Sequence, residues 1–179
     1  MNDGLLPRRY AKALYKLATE RNDATEIYEQ LKHLNFSYTA IDELKRVVLN
    51  PSIPDELKGA VVSQAAGASP GSSLDRFILL VIRNNRAEIL YRITLAYLNI
   101  FREQHNIAKV EVTTAVPVEQ DKIDRIVAVV AKQLPGKTIE VDTHVNKDLI
   151  GGFTVKVGDL LLDASVKNEL NKLRLQLLS

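Results

Sequence analysis

The apolar residues change their spacing near residue 107, and that change constrains the fold more than any single motif. Ahead of it they recur every three or four residues, the period of an amphipathic helix. Beyond it they alternate, the period of a half-buried strand. A length of 179 residues accommodates one large or two small domains. Two are expected here, residues 1–105 and 106–179, with the joint between His105 and Ile107.

The first half reads as six helices. Tyr10, Leu14, Leu17 and Ala18 follow helical spacing behind Pro7, which suits a first helical turn. Ile27, Leu31 and Leu34 form a second stripe. A third, Ile41, Leu44, Val47 and Val48, stops at Asn50-Pro51, because a residue before proline avoids the helical region. Pro54, Asp55 and Glu56 make a proline and acidic first turn for a fourth helix through Leu57, Ala60 and Val61. Residues 67–73 read as a loop, with Ser73 capping a fifth helix that carries Leu74, Phe77, Ile78 and Val81. Asn84-Asn85 breaks it, and a sixth runs through Ile89, Ile93, Tyr97, Ile100 and Phe101. The expected fold of this half is an all-α six-helix bundle.

In the second half Val110, Val112 and Val116 alternate with Lys109, Glu111 and Thr113 as a strand, which Pro117 closes. Ile123, Ile126, Val127, Val130 and Leu134 return to helical spacing up to Pro135-Gly136. Ile139, Val141 and Val145 alternate again, as do Phe153, Val155 and Val157. Gly158-Asp159 reads as a primed turn into Leu160–Leu162. Val166, Leu170, Leu173 and Leu177 share one face of a last helix, with Ser165 as its cap. The expected order is β-α-β-β-β-α, a small α+β domain.

Composition excludes several classes. The hydrophobic content of 46% and charged content of 26% exclude wholesale disorder. A net charge of +2 is far from that of a dedicated nucleic-acid binder. No cysteine is present, so disulfides, thiolate zinc sites and cysteine nucleophiles are excluded. His33, His105 and His144 have no metal-ligand spacing, and His144 reads as a cross-strand packing residue. The longest apolar runs, Phe77–Ile82 and Ile126–Ala131, are far too short to span a bilayer. The N-terminus lacks an apolar signal core, so a soluble, cytoplasmic, unprocessed chain is expected.

The chemistry-bearing patterns are equally spare. The stretch from Ala131 to Gly136-Lys137-Thr138 nearly spells a phosphate-binding loop. It has Ala131 where the motif requires glycine, and it follows a helix instead of opening one, so its amides do not converge on a phosphate. Asp121 with Asp124 suits a first helical turn, and Asp159 with Asp163 suits a turn and a helix start. No Gly-x-Ser-x-Gly elbow occurs. The first helix shows Arg8, Arg9, Lys12, Lys16 and Arg21 against Glu20 alone, which keeps a nucleic-acid-binding or regulatory module open as an alternative.

One region is more specific. Lys147-Asp148-Leu149-Ile150-Gly151-Gly152, the Gly158-Asp159 turn, Asp163 and Ser165 before a helix, and the Leu-rich last helix resemble the C-terminal signature of the delta subunit of F-type ATP synthases, whose mitochondrial relative is the oligomycin-sensitivity-conferring protein. Arg9-Tyr10-Ala11-Lys12-Ala13-Leu14 is similar to that family's opening helix. Asn50-Pro51 and Asn84-Asn85-Arg86 also sit at matching places. The resemblance spans the whole chain.

The resemblance implies a non-catalytic stator without cofactor, metal or nucleic acid. It joins the catalytic head to the peripheral stalk, so that proton-driven rotation is coupled to ATP synthesis. The resemblance further implies that a groove between the first and fifth helices receives the N-terminal helix of an alpha subunit. Carried over, Tyr10, Ala11, Leu14 and Tyr15 would line it from one side and Leu74, Phe77, Ile78 and Val81 from the other. The second domain would meet the C-terminal end of the stalk's b subunit, with Gly151, Gly152, Gly158, Asp159, Asp163 and Ser165 as structural positions. The chain would be a monomer when isolated, and would reach the cytoplasmic face of a bacterial membrane only through the complex.

Overall fold

The computed structural model, which describes residues 4–158 and 160–178, opens with helix α1 (Leu5–Arg21). Pro7 sits in its first turn, where the missing N–H has no helical partner to lose. Asn22, with φ 57°, ends it in the left-handed conformation. Helices α2 (Ala24–Ala40), α3 (Asp42–Leu49) and α4 (Asp55–Ala66) follow, and α3 stops ahead of Pro51. Then come α5 (Ser73–Arg83), a 3-10 turn at Ala87–Ile89 and α6 (Leu90–Gln104). Ile89, expected inside the sixth helix, belongs to that turn.

The cap of α5 corrects the sequence reading. Ser72 is the N-cap, its hydroxyl accepting from the Asp75 backbone N–H at 3.2 Å. Ser73 is the first helical residue, and it is buried. Two adjacent serines satisfy the same local rule, and the pull of neighbouring helices on Ser73 decides which of them caps.

The chain divides into two compact units, Met1–Glu103 and Gln104–Ser179. The first is helical. Leu14, Ile27, Leu34, Val62, Leu74, Ile78, Ile93 and Tyr97 are fully buried in it. Tyr28 stacks on Phe101 with ring centroids 4.2 Å apart.

The second unit holds a four-stranded sheet in the order β2-β1-β3-β4. Its strands are β1 (Ile107–Thr114), β2 (Thr138–Val145), β3 (Gly152–Val157) and β4 (Leu160–Ser165). Strand β1 runs parallel to β2, and helix α7 (Gln120–Gln133) makes the crossover that a parallel pair requires. The phosphate-loop look-alike therefore lies in a helix-to-strand turn. Strand β3 is antiparallel to β1 and to β4. Val110, Val112 and Val155 pack with Ile123 of α7 as this unit's core.

Several apolar residues read as core are not core. Val116 lies beyond β1 and is exposed, because the strand ends at Thr114, before Pro117. Val145 is exposed at the end of β2. Helix α8 (Val166–Leu178) leaves Val166, Leu170 and Leu173 exposed, and the side chain of Leu177 is outside the described residues. A one-sided stripe guarantees an amphipathic helix, but not a neighbour within the same chain to cover it.

The other face of β1 is polar. Glu111 and Asp142 are register partners, a like-charge pair that Lys109 bridges at 2.7 and 3.2 Å. The Lys109 hydrogen bond holds Glu111 below the usual carboxylate range, against a smaller opposing effect of burial. Burial acts to lower the Lys109 ammonium, but its bonds to Glu111 and Asp142 outweigh that and raise it. His144 is not a packing residue: its ring stands 3.4 Å from Asp142 with its side chain 57% exposed.

The Gly-Gly segment, at the start of β3, packs against the junction of β4 and α8. The Gly151 carbonyl accepts from Val166 N at 3.0 Å. Gly152 has φ +75°, and a Cβ there would run into the Ala164 carbonyl oxygen. Only glycine combines that left-handed backbone with so close an approach. Gly158, at φ +57°, also takes the positive φ of a primed turn, while Asp159 lies outside the described residues. Asp163 Oδ1 accepts from Ser165 N at 2.9 Å, and Ser165 Oγ accepts from Asn168 N at 3.2 Å, so Ser165 ends β4 and caps α8 together. Gly152→Ala should therefore cost the second unit about 1–3 kcal/mol. Amide exchange across β3 and β4 should accelerate while that of α1–α6 stays unchanged.

Candidate functional site

Helix α1 packs against α2 and α5. At about 100° per residue, Ala11, Leu14 and Ala18 share one stripe of α1, and Leu74, Ile78 and Val81 share one stripe of α5. All six are at most 1% exposed. The two alanines lack side-chain bulk, which favours close approach of neighbouring backbones.

The ends of these helices are tied by a part-buried polar chain. Arg21 Nη1 donates to Ser73 Oγ at 3.3 Å, and Ser73 Oγ donates to Asp23 Oδ2 at 2.6 Å. Tyr97 Oη donates to the Ala24 carbonyl at 3.2 Å. Burial, then the Asp23 charge, pushes the Tyr97 hydroxyl above its usual range, so it remains a donor. Asp75 closes the start of α5 by accepting from Gly71 N at 2.8 Å and Ser63 Oγ at 2.7 Å.

Along one edge of the packed stripes the helices leave an aromatic seam. Tyr10 and Phe77, both half-buried, meet edge to face with centroids 6.3 Å apart and planes at 70°. A shallow hollow beside Tyr10 is lined by Leu6, Arg9 and Ala13. Leu80, one turn beyond Phe77, is 51% exposed.

The structure thus sorts the residues assigned to the groove. Tyr10 and Phe77 come together at the surface. Ala11, Leu14, Leu74, Ile78 and Val81 lie beneath them as packed interior, with no surface for a partner to touch. Tyr15 goes elsewhere: its ring stands 6.0 Å from Tyr97 and 6.4 Å from Phe101. Five residues separate Tyr10 from Tyr15, about 140° around the helix, so they flank the buried stripe on opposite sides. Leu6 and Ala13, which line the hollow beside Tyr10, and the exposed Leu80 are not singled out by the sequence reading. The signal was present, since Leu6, Tyr10 and Ala13 keep helical spacing one step to the side of the buried stripe. Among the described residues no group of three or more His, Asp or Glu is placed to hold a metal ion.

A helical unit with an accessible aromatic seam, followed by a small mixed-sheet unit, defines a structural, contact-making protein. The family model described as the ATP synthase delta (OSCP) subunit matches residues 6–177, and the chain belongs to that family. It is 34% identical over 177 residues to the ATP synthase subunit delta of Phocaeicola vulgatus, covering 98% of this chain and 95% of that one. It is 33% identical over 180 residues to the corresponding subunit of Parabacteroides distasonis, covering 99% and 98%. Its fold matches a chain in a cryo-EM structure of the Toxoplasma gondii mitochondrial ATP synthase hexamer with a TM-score of 0.72. That match covers 97% of this chain and 98% of the other at 20% identity.

The chain is accordingly a non-catalytic subunit of an F-type ATP synthase, a component of the peripheral stalk. The alternative of a nucleic-acid-binding module built on the basic face of α1 is not supported. No helix of the described residues is long and apolar enough to cross a membrane.

The burial sorts the mutations as well. Leu14→Ala should destabilise the chain by about 2–5 kcal/mol, as a buried leucine does when truncated. Ala13→Ser, on the exposed flank, should stay within about 0.5 kcal/mol. Urea titration of both variants followed by far-UV circular dichroism checks the contrast.

Proposed function

We propose that this subunit fastens the catalytic head of the synthase to the b subunit of the stalk and holds the head against rotor torque. Residues 1–105 act as a six-helix bundle that receives the amphipathic N-terminal helix of an alpha subunit along the α1–α5 seam. Residues 106–179, a β-α-β-β-β-α domain, meet the C-terminal end of the b subunit. The isolated chain is a monomer, binds no cofactor or nucleic acid, and works at the cytoplasmic face of a bacterial cell membrane as part of the complex.

The observation that carries this reading is the half-exposed Tyr10–Phe77 pair above a fully packed floor. Helix-in-groove recognition needs apolar anchors at helical spacing on a rigid surface. Leu6, Tyr10 and Ala13 supply that spacing on α1, and Phe77 with Leu80 supply it on α5. Ala11, Leu14, Leu74, Ile78 and Val81 set the depth of the seam from below. In the second unit, Leu160, Leu161, Leu162, Leu170 and Leu173 are each at least 50% exposed, which supports a partner-facing role for β4 and α8.

Truncating an interface anchor costs about 2 kcal/mol or more, roughly thirtyfold in affinity. Phe77→Ala should weaken binding of a labelled alpha-subunit N-terminal peptide at least tenfold in fluorescence anisotropy, and Tyr15→Ala should leave it unchanged. Melting temperatures measured alongside identify loss through unfolding. A folded Phe77→Ala protein that binds normally would remove the seam from the interface. A fragment of residues 1–105 should be helical and melt cooperatively, and an unfolded fragment would refute the domain boundary.

A further inference from the structure

Each ring of the Tyr10–Phe77 pair has the same arrangement of cations on its own helix. Arg9 and Lys16 stand one residue before and six residues after Tyr10 on α1. Arg76 and Arg83 stand one before and six after Phe77 on α5. At about 100° per residue, these offsets place both cations of a pair roughly 100–120° around the helix from the ring, on the side away from the buried stripe. Arg9 also lines the hollow beside Tyr10, so its row reaches the seam.

The two helices run in opposite directions. The end of α1 meets the start of α5 through Arg21 and Ser73, whereas Tyr10, earlier on α1, meets Phe77, later on α5. The same rotation on two antiparallel helices points to opposite margins of the edge they share. The aromatic pair therefore lies in a strip with two cations along each margin. All four cations are exposed, and none has an ion pair or hydrogen bond among the described residues. Elsewhere in this unit Lys32 stands 3.3 Å from Glu29, and Lys45 stands 3.6 Å from Asp42. The acids of α1 and α5 do not offset the margins. Asp75 is held by Gly71 and Ser63, and Glu20 is a single charge.

Apolar anchors give a docked helix its affinity but discriminate poorly between apolar stripes. Like charges on both margins add that discrimination, because they attract one kind of guest and repel the other. We propose that the segment seated on the α1–α5 seam is an amphipathic helix with carboxylates along both flanks of its apolar stripe, steered and aligned by Arg9 with Lys16 and by Arg76 with Arg83. This rests on the reading of the seam as the dock of the alpha-subunit N-terminal helix, and adds the charge pattern that helix must carry. Exposed ion pairs contribute little to affinity each, so the effect lies mainly in association rate and in choice of partner.

The probe is the fluorescently labelled alpha-subunit N-terminal peptide of the same synthase, beside a copy with every Asp and Glu changed to Asn and Gln. Both are titrated into the full chain. Arg9→Glu/Arg76→Glu, one reversal in each row, should bind the acidic peptide about tenfold more weakly at ~20 mM salt, chiefly through slower association, and about twofold more weakly at ~500 mM. Wild-type affinity should fall about fivefold over the same range. Arg8→Glu/Lys12→Glu, an equal charge change on the opposite side of α1, should stay within about twofold of wild type at either salt. The amide copy should bind wild type and Arg9→Glu/Arg76→Glu alike. Phe77→Ala separates the two readings. If it weakens binding while Arg9→Glu/Arg76→Glu does not, the seam stands and the acidic flanks fall; if neither weakens it, both fall. Salt-independent wild-type binding, an equal loss in Arg8→Glu/Lys12→Glu, a preference for wild type that persists with the amide copy, or displacement of the peptide by an equimolar single-stranded oligonucleotide would each overturn the proposal.

Discussion

Burial of the Ala11–Leu14–Ala18 stripe of α1 and the Leu74–Ile78–Val81 stripe of α5 is the contact on which the accessible surface of the helical unit depends. Isolated helices of this length are marginal in water, because nucleation is costly and propagation adds little. Their stability comes from tertiary packing, with about 1.5–3 kcal/mol for each fully buried Leu, Ile or Val. Once those stripes are inside, the residues one step round each helix are forced to the rim. Tyr10 and Phe77 meet there because the interior is already full.

The polar chain of Arg21, Ser73 and Asp23 complements that packing. Apolar contact is non-directional and would tolerate sliding of one helix along another. A 2.6 Å hydrogen bond from Ser73 to Asp23 does not, since it joins the α1–α2 turn to the first residue of α5. The same division holds in the second unit. Its valine core is non-directional, while the bonds among Asp163, Ser165 and Asn168 fix where strand β4 ends and α8 begins. The edge strand β4 retains Leu160–Leu162 exposed, a row that solitary proteins usually blunt with charge or proline. A subunit that works inside an assembly has less need of such protection.

Much of this was legible in the residues. The change of period near residue 107, the proline at the end of α3, the Gly-Gly joint and the Gly158 turn are local signals, and each acts within a few residues of itself. The candidate groove was legible only in part. Tyr10 and Phe77 stand together at the surface, but the sequence groups them with interior residues and with Tyr15, which packs near Tyr97 and Phe101. Periodicity shows that an apolar stripe exists; it does not show which flank another helix will leave open.

The sequence by itself determined the element types, their order and the absence of cysteine chemistry, because periodicity, turn residues and composition need no partner to be read. It also determined the family, through residues spread along the whole chain. Only the tertiary structure decided that Ser72 and not Ser73 caps α5, that Val116, Val145, Val166, Leu170 and Leu173 remain exposed, and that Leu6 and Ala13 line a hollow beside Tyr10. It alone left the Tyr38 hydroxyl buried with no hydrogen-bond partner among the described residues. Each of these depends on what lies across a gap from the residue, and contacts between residues distant in sequence are set by packing of whole elements and not by the local chain.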